Sequence, residues 1–107
     1  MNEYISCFPK HLKEACKIGR DSHLKISGKK IQNVVICGLG GSGIGGNIVA
    51  DIVSAKSSVP IISVKNYLIP GFINENTLVI ANSYSGNTEE TLSALKKCKE
   101  KNAEIAI

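Results

Sequence analysis

Asn33-Val-Val-Ile-Cys37 runs directly into Gly38-Leu-Gly-Gly-Ser-Gly-Ile-Gly-Gly46, and the reading of the whole chain turns on that junction. A short apolar run bounded by glycine suits a fully buried strand. Beyond the glycines, Ile44, Ile48, Val49, Ile52 and Val53 recur at helical spacing, so the stretch reads as strand, glycine loop, helix. Six of the ten glycines fall between Gly38 and Gly46, which marks this loop as the most unusual part of the chain. Glycines in such a place let backbone amides approach an anion, and the helix that follows aims its positive end at the same point. Ser42 adds a hydroxyl donor. Gly38, Gly40 and Gly43 satisfy the G-x-G-x-x-G spacing of dinucleotide sites. That motif also needs an acid about twenty residues on, at the end of the next strand, to hold a ribose. Lys65-Asn66 stands there instead, which disfavours a dinucleotide. No Gly-Lys-Ser/Thr follows either, which excludes a triphosphate P-loop.

Outward from the junction the same alternation continues. Pro60-Ile-Ile-Ser-Val64 is a second strand candidate, residues Asn66 to Asn76 an irregular connection, and Thr77-Leu-Val-Ile-Ala81 a third strand. Asn87-Thr-Glu-Glu90 has the form of a capping box, and Leu92, Leu95 and Cys98 mark the expected buried face of the helix it opens. Glu104-Ile-Ala-Ile107 begins a fourth strand. The pattern predicts an α/β fold, a doubly wound parallel sheet with the flavodoxin-like order 2-1-3-4. Upstream, Pro9 is expected to open a surface helix with Phe8, Leu12, Ala15 and Cys16 on one face, and Gly19 to stop it. The expected division is an N-terminal helical segment over 1–30 and the first part of a sheet domain over 31–107. A parallel sheet rarely finishes on an uncovered apolar strand, so the domain is expected to be truncated after its fourth strand.

Composition narrows the function classes. With 43% hydrophobic residues, aromatics at 5% and no Trp, the core must come from Ile, Val, Leu and Ala, as in buried parallel sheets. The net charge of +4 does not point to nucleic acid, because seven of the thirteen basic residues are spread over the first thirty positions. Lys96, Lys97, Lys99 and Lys101 sit instead near a helix C-terminus, where cations complement the dipole. Cys7, Cys16, Cys37 and Cys98 have no metal or redox-motif spacing, and Cys37 reads as a small buried residue. No stretch resembles a signal peptide or reaches the ~20 apolar residues of a membrane span. A reduced, cytoplasmic protein with neither metal nor cofactor is expected.

A second loop carries as much chemistry as the first. Ser83-Tyr-Ser-Gly-Asn-Thr-Glu-Glu-Thr91 holds three hydroxyls, Ser83, Ser85 and Thr88, and opens on a helix N-terminus. A single N-cap needs one such residue, so three exceed the structural requirement. In the order 2-1-3-4, strands one and three are neighbours and ligands bind at the switch point between them. A glycine loop and a hydroxyl loop facing one crevice suit a phosphorylated small molecule.

These two loops together resemble the sugar isomerase (SIS) domain family, on its bifunctional phosphoglucose/phosphomannose isomerase side. The stretch Tyr67 to Phe72 and the start of the chain (Glu3-Tyr4-Ile5, Phe8-Pro9) share the resemblance. It implies that Gly41 and Ser42 contact the sugar, while Ser83, Ser85 and Thr88 bind its phosphate. It implies an isomerase acting on hexose 6-phosphates, a homodimer at full length, in which a carboxylate moves a proton between C1 and C2 without a metal. The family's base, ring-opening histidine, arginine and lysine lie beyond residue 107, so this chain alone is expected to be inactive. His11 and His23 match no family catalytic position, and Glu89 and Glu90 read as helix-start acids. The alternative is a non-catalytic module of a regulator that senses sugar phosphates.

Overall fold

The computed structural model describes residues 2–23, 28–38, 41–65, 69–83 and 89–107, with the backbone alone for 2–5, 41–42 and 90. Helix α1 (Asn2–Asp21) comes first, then β1 (Asn33–Cys37), α2 (Gly41–Ser54), β2 (Ile61–Val64), β3 (Thr77–Ala81), α3 (Glu89–Glu100) and β4 (Glu104–Ala106). All four strands are parallel, in the order β2-β1-β3-β4. The register sets Val34 beside Ile61 on one side of β1 and beside Leu78 on the other. This is the predicted doubly wound α/β topology.

Side-chain alternation along β1 shows how the sheet is covered. Val35 and Cys37 join Val79 of β3, Ile73 of the preceding connection, and Ala94 and Cys98 of α3 in the buried core. Ile36 points the other way, against Gly46 of α2. The two helices therefore cover opposite faces, as right-handed crossovers in this strand order require. Both faces of β1 are buried, which is why its sequence is a continuous apolar run and does not alternate.

The helices depart from the sequence reading in which residues face the sheet. On α2 the buried positions are Gly43, Gly46 and Ala50, while Ile44, Ile48, Val49, Ile52 and Val53 are exposed. The expected apolar stripe thus faces outward, because small residues bring the helix axis closer to the sheet than isoleucine would. On α3, Thr91, Ala94 and Cys98 are buried, Leu95 is half-buried and Leu92 is exposed. Helix α1 neither opens at Pro9 nor stops at Gly19; it starts at Asn2 and carries Pro9 in its interior. Pro9 in the helix interior costs about 3 kcal/mol and Gly19 about 1 kcal/mol relative to alanine, yet the helix runs through both. Ser22 closes it by donating its hydroxyl to the Gly19 carbonyl at 2.8 Å. Every side chain described from Ser6 to His23 is exposed.

The connections hold the strand ends in place. The Asn76 amide donates to Asn74 Oδ1 at 2.8 Å, and the Asn74 amide to Thr77 Oγ1 at 3.1 Å, so the fully buried threonine at the start of β3 is satisfied. At the other end of α3, Asn102 adopts φ 63°, and the Ala103 amide bonds the Cys98 carbonyl at 3.2 Å. A left-handed residue there releases the chain into β4, and asparagine tolerates that conformation better than most residues.

Candidate functional site

The strand ladder continues one residue beyond β1 on both sides. The Gly38 amide donates to the Val64 carbonyl at 3.1 Å, and the Asn82 amide donates to the Cys37 carbonyl at 2.8 Å. The chain therefore leaves β1 between the C-terminal ends of β2 and β3, at the point where strand order reverses. Gly41 and Ser42 form the first turn of α2 at this edge, and half-buried Ser83 follows β3 beside it. Gly41, Ser42 and Ser83, drawn from the two predicted loops, thus come to one edge of the sheet. Ser85 and Thr88 lie outside the described residues, as does the Ser42 side chain.

Three glycines of α2 are occupied by neighbouring side chains. A Cβ on Gly43 would stand 3.0 Å from the Gly38 carbonyl oxygen and 3.2 Å from Lys65 Cγ. On Gly45 it would meet Asn82 Nδ2 at 3.4 Å, and on Gly46 it would meet Ile36 Cγ2 at 2.9 Å and Ser63 Oγ at 3.0 Å. Gly43 and Gly46 thus let α2 pack closely against the strand ends. Lys65 and Asn82 approach α2 from the two strands that flank β1. Both escaped the sequence reading, which met Lys65 only as the residue standing where a ribose-binding acid is missing. Their signal was positional: each is the first residue after a strand that neighbours β1.

Helix α2 has no acidic side chain in its first turn, so its positive end is uncompensated from within. Helix α3, by contrast, begins with Glu89. Beside α3, a cavity of about 250 Å³ is lined by Ala81, Asn82, Ser83, Thr91, Leu92 and Leu95, with Ile107 at its rim. Beneath the loops, Cys37 and Cys98 are both buried and adjacent. Burial and the neighbouring Cys98 push the Cys37 thiol up to about 11, and burial raises Cys98 against the opposing pull of Lys101. Neither is poised as a nucleophile. His11 and His23 are exposed, and no three metal-ligating side chains come together among the described residues.

No family model matches the chain. Individual proteins do. The fold is shared with the crystal structure of a Clostridium difficile protein provisionally assigned as a phosphosugar isomerase: TM-score 0.83, 22% identity, 97% of this chain and 31% of that one. A Bacillus subtilis protein with the same provisional assignment matches at TM-score 0.62 and 29% identity, over 73% of this chain and 25% of that one. The fold is that of phosphosugar-isomerase (SIS) proteins, and a curated relative 44% identical over 98% of the chain shows that the chain belongs to that family. Within it the sequence is similar to bifunctional phosphoglucose/phosphomannose isomerases. It is 44% identical to that of Caldicellulosiruptor bescii over 105 residues, which are 98% of this chain and 31% of the relative. To that of Thermoplasma acidophilum it is 51% identical over 73 residues, 68% of this chain and 23% of the relative. The chain spans a third or less of the length of the curated relatives it matches.

Proposed function

We propose that this chain is the sugar-phosphate-binding portion of an aldose–ketose isomerase interconverting glucose 6-phosphate or mannose 6-phosphate with fructose 6-phosphate. The observation that carries the reading is the 44% identity extending over 98% of the chain, both loops included. In this reading residues 31–107 are the first part of the sugar isomerase domain and 1–30 a helical segment before it. Gly41 and Ser42 hold the sugar, and Ser83, Ser85 and Thr88 encircle the phosphate with hydroxyls and amides at the start of α3. The full-length protein is a cytoplasmic homodimer. Isomerisation moves a proton between C1 and C2 through an enediol, which needs a base with reach to both carbons. In this reading, which follows the family resemblance, the chain grips the substrate and the base comes from elsewhere in the full-length protein.

Calorimetric titration with fructose 6-phosphate, run beside a coupled assay, tests this. Saturable binding is expected, weakened about tenfold by Ser85→Ala through the loss of one charge-assisted hydrogen bond, with no turnover of glucose 6-phosphate. Turnover by the 107-residue chain would overturn the assignment of the base, and absence of binding by folded chain would overturn the site.

A further inference from the structure

Two apolar helix faces are left uncovered in this chain. On α2, Ile44, Ile48 and Ile52 repeat every fourth residue, and each is at least half exposed because the glycine and alanine face has taken the sheet. On α1, Phe8, Leu12 and Ala15 stand at i, i+4 and i+7 with Ile18 beside them, and Phe8, Leu12 and Ile18 are again at least half exposed. Neither face joins the core, whose buried members come from β1, β3, α3 and the connection before β3. Nor do the two faces cover each other within the protomer, since every side chain described from Ser6 to His23 is exposed and so is the isoleucine stripe. Contiguous apolar surface rimmed by polar residues marks a contact surface.

The two faces match in length and in charge. By helix rise α2 is about 21 Å long and α1 about 30 Å, so one α1 spans the whole isoleucine stripe. Asp51, three residues after Ile48, is the one charged residue of α2 and borders the stripe. Lys13 and Arg20, seven residues apart, border the α1 face. Packing α1 on α2 sets bases toward an acid, whereas α2 on α2 sets Asp51 toward its own copy and α1 on α1 sets bases toward bases. A single contact of this kind covers one face per protomer, and a stable interface buries about 800 Å² on each side. Exchange about a two-fold axis doubles the contact, because each protomer gives its α1 and receives its partner's.

We infer that the outward face of α2 is the seat for α1 of a second copy of this chain, in a two-fold dimer held by two reciprocal α1–α2 contacts. The inference extends the homodimer proposed above by naming the surface that makes it.

Sedimentation velocity from about 1 to about 200 µM tests it on the parent chain, Leu12→Lys, Ile48→Glu and the double variant, with a reductant present because Cys7 and Cys16 are exposed. Both substituted sites face outward in the protomer, so circular dichroism at the dilute end is expected to show equal folding. The parent is expected to dimerise within the concentration range. Each single variant is expected to weaken the dimer at least about tenfold, since it puts a charge into an apolar contact. The double variant is expected to regain most of that loss, because in an α1-on-α2 contact the new base of one copy meets the new acid of the other. A parent that stays monomeric would overturn the inference together with this chain's part in the homodimer. A dimer indifferent to both substitutions would overturn this interface and leave the homodimer standing. Weakening by the single variants without recovery in the double variant would mean that like helices meet, and would overturn the exchange.

Discussion

Gly46 is the residue on which α2 rests. The Cβ it lacks would stand 2.9 Å from Ile36 Cγ2, on the strand at the centre of the sheet, and 3.0 Å from Ser63 Oγ. Ile36 is buried and branched, with no free rotamer to retreat into, and Ser63 Oγ is buried without a hydrogen-bond partner among the described residues. Adding one methyl group must therefore lift the helix or shift β1. Gly46→Ala is expected to destabilise the chain by about 1–3 kcal/mol by overpacking, even though alanine is the better helix former by about 1 kcal/mol. Urea unfolding followed by circular dichroism measures it. An unchanged or raised midpoint would mean that the glycine is there for ligand access alone.

Each strand of the sheet was legible as an element from its composition. β1 and β3 lie where unbroken Val/Ile runs put them, since a strand buried on both faces leaves that trace directly in the sequence. The helices were legible in position but not in orientation. Periodicity finds an apolar stripe on α2 without saying what the stripe touches, and here the glycine and alanine face wins the sheet because it allows closer approach. Lys65 and Asn82 were not legible as neighbours of α2, because that contact comes from strands that pair only in the folded chain. The orientation of α2 has a consequence that can be measured. Ile48 is 52% exposed and Ile52 68%, so Ile48→Lys combined with Ile52→Glu is expected to change unfolding free energy by no more than about 0.5 kcal/mol per site. If the stripe faced the sheet, the same pair would bury two unpaired charges and abolish folding. A single urea titration of the double variant separates these outcomes.

At the scale of the molecule, one small core joins the central strand to α3, and α1 stands outside it. The radius of gyration is 14.8 Å, against about 13 Å for a compact chain of this length, as expected with a helix exposed along its described length. Global stability must therefore come mainly from the sheet and the cluster around Val35, Cys37, Val79, Ala94 and Cys98. The thiol pair gives that core a dependence on alkaline pH. A cysteine exposed by unfolding titrates near 9.0, whereas folded Cys37 is held at about 11, first by burial and then by Cys98. Between those values the unfolded chain has released a proton that the folded chain keeps, so rising pH favours unfolding. The contribution of Cys37 is fully present below pH 9 and is lost as pH climbs through 11, at up to about 1.4 kcal/mol per pH unit. Alkali acts on more than this one thiol, so the comparison that isolates it is with Cys37→Ala. That variant starts from lower stability because it leaves a small cavity, and its stability is expected to fall less steeply from pH 9 to 11. Parallel curves for the two proteins would show that Cys37 ionises equally in the folded and unfolded chain, and the buried thiol would then have no part in the alkaline limit of the fold.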